Sequence, residues 1–148
     1  MPLDTLFKVA NYAVLPFWLL LVVAPRWSWT QRLVHGPVAL LLLTPIYAYM
    51  LFGYAAAPEG MEFRSLYGVM IGFSAPNVVL AGWIHYLIFD LFIGAWETRD
   101  AQRRGISHLW VVPCLLATLM AGPVGLLLYV LVRFFSKRVL EYDENEDR

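Results

Sequence analysis

Residues 74–100 read SAPNVVLAGWIHYLIFDLFIGAWETRD, and this stretch decides the fold. A helix crossing a hydrocarbon core of about 30 Å needs roughly 20 mostly apolar residues. The run from Ser74 to Trp96 has that length, yet it holds His85 and Asp90 inside it. An ionisable group at such depth costs on the order of 2.5–3.5 kcal/mol, so it turns toward protein and is a candidate for function. At about 100° per residue, Gly82, Trp83, Tyr86, Asp90, Ile93, Gly94, Glu97 and Asp100 share one stripe about 120° wide. Leu80, Ile84, Leu87, Ile88, Leu91 and Ala95 fill the opposite side. The stripe is expected to face the helix bundle and the aliphatic side to face lipid. His85 falls about 140° from Asp90, too far around a regular helix for a direct pair, although the two could line one cavity from its flanks.

Working outward, three more charge-poor runs have spanning length, giving expected crossings at about 6–24, 34–54, 74–96 and 109–135. Lys8 ahead of the first run also allows a secretory signal peptide, but its basic region is thin and Val22-Val23-Ala24 is a poor cleavage pattern. The fourth run holds Pro113, Gly122, Pro123 and Gly125, which places a kink near Gly122-Pro123; lipid-embedded helices tolerate proline where neighbours re-satisfy the freed backbone groups. Trp27, Trp29, Arg26 and Arg32 between the first two runs are residues that a headgroup boundary favours. Residues 61–71 suit a short amphipathic helix in the interface. The expected fold is all-α, an integral membrane four-transmembrane-helix bundle over residues 1–140 with a short interfacial helix between helices 2 and 3. An acidic tail follows over 141–148.

Composition agrees. The chain of 148 residues is 60% hydrophobic and 15% charged, whereas a soluble domain carries about a quarter charged residues. That excludes a soluble surface, and the basic surplus that nucleic-acid binding needs is missing: Lys+Arg and Asp+Glu stand at 11 each. Cys114 is the only cysteine, so neither an internal disulfide nor a thiolate cluster can form. With four crossings both termini lie on one side. Lys8, Arg64, Arg133, Lys137, Arg138 and Arg148 then oppose Arg26, Arg32, Arg99, Arg103 and Arg104, and six against five leaves the orientation open under the positive-inside rule.

Plainer roles compete with chemistry. A buried Asp can hydrogen-bond a neighbouring helix, a lone His packs in a core about as often as it acts, and the cluster Glu97, Arg99, Asp100, Arg103, Arg104 suits a solvated membrane boundary. As functional residues, Glu97, Asp100, Arg104 and His108 would form a polar entrance leading to Asp90. His35 and His108 share a membrane side with Glu97 and Asp100, which could assemble a two-His, one-carboxylate iron site. No local spacing announces it, and no metal or other cofactor is expected. Phosphate loops, nucleophile elbows and dinucleotide fingerprints are absent. Membrane lipids are the expected surroundings, and a homo-oligomer is compatible with the sequence.

One set of blocks points to a family. Gly82-Trp83-Ile84-His85-Tyr86-Leu87-Ile88-Phe89-Asp90-Leu91-Phe92-Ile93-Gly94-Ala95-Trp96 is followed by Arg99-Asp100-Ala101 and Arg104-Gly105-Ile106-Ser107-His108. Val112-Pro113-Cys114-Leu115 and Gly122-Pro123-Val124-Gly125-Leu126-Leu127-Leu128-Tyr129 come next. Together, over roughly residues 74–135, they resemble the abscisic-acid-deficient-four-like family, small four-helix membrane proteins whose plant members are required to make neoxanthin from violaxanthin. Without a plastid transit peptide ahead of the first helix, the chain looks like a bacterial member placed in the inner membrane.

The resemblance implies a carotenoid or similar polyene as substrate and an isomerisation. An epoxide opens and a proton leaves the neighbouring polyene carbon to give an allene, with an acid at the oxygen, a base at the carbon and no redox cofactor. On this reading Asp90, protonated by virtue of its depth, is the acid and His85 the base, while Trp83, Tyr86, Phe89 and Asn77 bind the substrate. Two other outcomes stay open: a non-catalytic pigment-binding or assembly protein, and a metal-dependent carotenoid oxygenase.

Overall fold

The computed structural model describes residues 2–53 and 57–138, and the acidic tail expected over 141–148 lies outside them. Among the described residues every regular element is helical: α1 Leu3–Val23, α2 Ser28–Leu33, α3 Val38–Ala48 running into a π-helical turn Tyr49–Gly53, α4 Leu66–Phe73, α5 Pro76–Arg103 and α6 His108–Lys137. Four stretches, Leu3–Val23, Ser28–Gly53, Pro76–Arg103 and His108–Lys137, are long and apolar enough to cross a membrane. The protein is an all-helical membrane protein, as its sequence implies.

Helix α1 buries Leu6, Ala10, Val14, Phe17, Trp18 and Leu21, the spacing of one helical stripe, and leaves Tyr12, Leu15, Leu19 and Val23 exposed for lipid. The amphipathic helix expected over 61–71 is not formed: residues 61–65, with Glu62 and Arg64, stay outside any helix, and α4 is a shorter apolar helix begun by Ser65, whose Oγ accepts from the Gly68 amide at 3.1 Å, an ordinary N-cap. Pro76 opens α5 in its first turn, where a missing N–H costs nothing.

At the centre, α5 packs against α1, α3, α4 and α6. Its aliphatic side does not meet lipid, contrary to the expectation: Leu80, Ile84, Leu87, Leu91 and Ala95 are all buried, covered by α1 and α3. The strip left open carries His85, Phe89 and Phe92. The helix also runs seven residues past Trp96, because Glu97 and Asp100 find partners inside the protein.

The largest departure is in α6. A straight helix would separate His108 from Arg133 by about 37 Å. Yet His108 Nε2 donates to the Val22 carbonyl at 2.8 Å while Arg133 reaches Asp100 at 3.4 Å, so both ends of α6 lie at the same end of the bundle. The expected kink is a reversal. Ala121 leaves the helical region at φ −160°, ψ 66°, and the arms 108–121 and 122–137 lie side by side. At their crossing a Cβ on Gly125 would overlap the backbone nitrogen and Oγ1 of Thr118. Pro123 has no N–H to offer the Leu119 carbonyl, and the Tyr86 hydroxyl donates to that carbonyl instead at 2.9 Å.

This reversal corrects the expected placement of the termini. Pro2 lies at one face, whereas Lys137 lies beside Gly105 in the α5–α6 turn, at the face where α1 ends. The described ends of the chain are therefore on opposite faces.

Candidate functional site

Two polar or hollow regions flank α5. The first is the seam between α5 and the arms of α6, built from carboxylates that succeed one another along the helix. Asp100 is enclosed: Oδ1 accepts from Arg103 and Arg104, each at 3.1 Å, and Oδ2 accepts from the Tyr129 hydroxyl at 2.6 Å and from Arg133 at 3.4 Å. Arg133 is fully buried, with its guanidinium 5.8 Å from the Trp96 ring centre, and Trp96 meets Tyr129 edge to face at 5.5 Å. Glu97, also fully buried, accepts from Thr118 Oγ1 at 2.9 Å, and its second oxygen has no partner.

Deeper along the seam, the Gly122 amide donates to the Asp90 carboxylate, which occupies the space a Cβ on Gly122 would need. Asp90 thus sits at the start of the second α6 arm, where a helix N-terminus offers free N–H groups and the positive end of its dipole. Its Oδ2 is buried without a hydrogen bond.

The second region is an apolar groove on the other side of α5, against α3. His85 stacks on Phe89 with ring centres 4.4 Å apart and lies 5.9 Å from Tyr47. These rings line a hollow of about 370 Å³ with Leu40, Thr44 and Phe92. Tyr47 and His85 also line a hollow toward Met61, Phe63 and α4. Leu40, Ile88 and Phe92 are shared with a third, bounded by His35 and Arg99. Sharing these residues, the three hollows follow one another along one strip of α5 from Val78 to Arg99, a length of about 31 Å at 1.5 Å per residue.

The structure therefore separates residues that the sequence grouped. Asp90 belongs to the seam and His85 to the groove, on different sides of α5. Trp83 turns toward α1, donating from Nε1 to Asn11 Oδ1 at 3.2 Å and packing 5.7 Å from Phe7 and 5.4 Å from Tyr86; Phe89 stays with His85. These three aromatics do not form one wall. Asn77 is buried in the first turn of α5. In place of an open polar entrance, Asp100 and Arg104 bond each other, Glu97 is sealed against Thr118 and His108 ties α6 to α1. No three His, Cys, Asp or Glu side chains gather into a ligand set among the described residues, so His35, His108, Glu97 and Asp100 are not assembled around one point. Cys114 donates to the Trp110 carbonyl at 3.2 Å.

Sequence reasoning missed Thr118, Tyr129 and Arg133 as seam residues and His35 with Arg99 as neighbours. The spacing Thr118, Gly122, Gly125, Tyr129, Arg133 marks one stripe at i+3 and i+4. It was a visible signal of a contact face, although it does not say that the helix folds back along it.

Among known proteins, the ABA DEFICIENT 4-like family matches residues 5–129. The protein ABA DEFICIENT 4, chloroplastic, of Arabidopsis thaliana is 29% identical over 146 residues, covering 93% of this chain and 62% of the relative. The chain thus spans about three fifths of that relative's length. No solved structure matches.

Proposed function

The chain belongs to the ABA DEFICIENT 4-like family, and on that footing we propose that it binds a carotenoid or similar polyene within the bilayer and isomerises it by acid–base chemistry. The observation that carries the reading is the row of adjoining hollows that forms a groove between α3 and α5. It is apolar, walled by rings, and about 31 Å long, which matches the thickness of a hydrocarbon core. A rigid polyene lying along it would exchange contact with lipid for contact with Tyr47, His85, Phe89 and Phe92.

In the isomerisation the epoxide oxygen and the carbon that loses its proton are close neighbours, so the groups acting on them must share one cavity. Asp90 and His85 are on separate sides of α5. The reading therefore gives His85 contact with the polyene chain, and gives Asp90 the task of holding the start of the second α6 arm. Purified protein incubated with violaxanthin and with β-carotene tests this. We expect uptake of pigment and conversion of the epoxide alone. Uptake without conversion would favour a carrier or assembly protein, and conversion that stops on removal of iron would favour an oxygenase.

A further inference from the structure

We propose that the hollow bounded by His35 and Arg99, at the end of the groove, takes the oxygen-bearing end ring of the polyene and is where its chemistry occurs. This rests on the reading of the function above. Both ring nitrogens of His35 are buried and neither has a hydrogen-bond partner. A neutral imidazole offers one donor and one acceptor, and a hydrogen bond made to a buried polar group is worth most where it would otherwise be unpaired, so this ring has both valences to offer a polar group in the hollow. Arg99 lines the same hollow and lies close enough to act on His35 electrostatically. The remaining walls, among them Ala39, Leu43, Leu91 and Ala95, are apolar.

Size and depth agree. The hollow holds about 230 Å³, and a dry cavity of about 150 Å³ accepts a benzene ring, so one substituted six-membered ring fits. The hollow runs from the bundle end where Arg99 and the α2–α3 corner lie down to Ile88 and Leu43, and its polar groups, His35 and Arg99, stand at that end. An oxygenated ring avoids the middle of a bilayer for the same reason an amide or hydroxyl does, while its conjugated tail runs down the groove past Phe92, Phe89 and His85.

The hollow also gathers the two functions that the isomerisation needs. As the epoxide C–O bond breaks, the Arg99 guanidinium stabilises the charge growing on oxygen. The imidazole of His35 takes the proton from the adjacent carbon, whose C–H electrons become the new double bond of the allene, and passes that proton to the oxygen. The product is an isomer carrying a hydroxyl; nothing is oxidised and no co-reactant is consumed.

Titration of nanodisc-embedded protein with violaxanthin and β-carotene, read by pigment absorption and by product chromatography, tests the site. Wild type should prefer the epoxide. His35→Ala and Arg99→Gln should each lose that preference roughly tenfold to a hundredfold, as for a hydrogen bond involving a charged group, with β-carotene binding unchanged and conversion abolished. Ala95→Leu, which fills the hollow and leaves both polar residues in place, should abolish conversion and the preference alike while weakening uptake of both pigments, because either end ring needs that space. If wild type takes up neither pigment, the reading of the function fails and this one with it. If wild type discriminates and all three variants do so equally, the site is elsewhere. If Arg99→Gln instead sheds phospholipid phosphate from the purified protein while pigment binding stays, the hollow holds a lipid headgroup and the assignment is wrong.

The reversal in α6 independently carries a second inference. It moves Arg133, Lys137 and Arg138 to the face of Arg26, Arg32, Arg99, Arg103 and Arg104. Among the described residues that makes eight basic side chains against two, Lys8 and Arg64. We infer that the face holding the α5–α6 turn is the cytoplasmic one, because basic residues near helix ends are retained on that side. Single-cysteine variants Glu59→Cys, Ser107→Cys and Arg138→Cys in a Cys114→Ser background, expressed in bacterial cells and treated with a membrane-impermeant maleimide, decide it. Only Glu59→Cys should label in intact cells, and the other two only after permeabilisation. Labelling of positions 107 and 138 from opposite sides would refute the reversal, and labelling of both in intact cells would refute the orientation.

Discussion

The two sides of α5 hold their neighbours by different means. Toward α6 the contacts are buried polar bonds and close backbone approach: Asp100 with Tyr129 and Arg133, Glu97 with Thr118, Asp90 with Gly122. Toward α3 they are rings and aliphatic chains around open space. In lipid, apolar contact between helices gains little over apolar contact with acyl chains, and small residues with interhelical hydrogen bonds do the holding. The seam therefore fixes the fold. The groove, whose contacts lipid can replace, is the side able to admit a hydrophobic ligand without disturbing the rest.

Substitutions can break or sharpen this contrast. The largest effect is expected from Asp100→Ala, which leaves the buried Arg133 guanidinium without its carboxylate, a loss on the order of 3–5 kcal/mol. The unfolding midpoint in mixed detergent should collapse, and an unchanged midpoint would show that the seam holds nothing. Next, Gly125→Ala drives a methyl into Thr118, and overpacking of that kind costs typically 1–3 kcal/mol; protease digestion should then open α6 near Ala121.

Asp90→Asn keeps an oxygen for the Gly122 amide, and Asn serves about as well as Asp at a helix start. Its midpoint should stay within about 1 kcal/mol of wild type, whereas Asp90→Ala should lose about 1–2 kcal/mol. If Asp90→Asn keeps its stability and loses all conversion, chemistry belongs to the seam after all. The smallest effect is expected at exposed His85. His85→Ala should leave the midpoint unmoved and weaken pigment uptake several-fold, in keeping with about 0.5–1.5 kcal/mol for one ring–ring contact. A large loss of stability at this position would erase the distinction between the two sides.

The spanning helices were legible because charge-free runs of membrane length have few other uses, and Pro76, Ser65 and Gly122-Pro123 marked starts and a break. The depth of that break was not legible. Proline and glycine say that helical hydrogen bonding is interrupted, but the direction the chain takes next depends on Asp90, Tyr86 and Asp100, partners about twenty to forty residues earlier. For the same reason the helical wheel of α5 found the polar stripe and misassigned the aliphatic one. A wheel ranks faces by polarity, and in a bundle where α1 and α3 both need a partner, the most apolar face is covered first. His35 was legible only as a possible metal ligand beside His108; nothing in Val34-His35-Gly36-Pro37 says that it ends up beside Arg99 with both ring nitrogens unbonded.

The arms of α6, residues 108–121 and 122–137, measure about 21 and 24 Å, each short of the roughly 30 Å of hydrocarbon. Neither can be threaded across the bilayer during synthesis as a finished segment. Each also carries backbone and side-chain groups, at Leu119, Thr118 and Arg133, whose partners are on α5. The hairpin must therefore partition into the membrane as one unit, after α5 is already in place to receive it, which sets the order of assembly: α6 can settle only on a helix that has stopped moving.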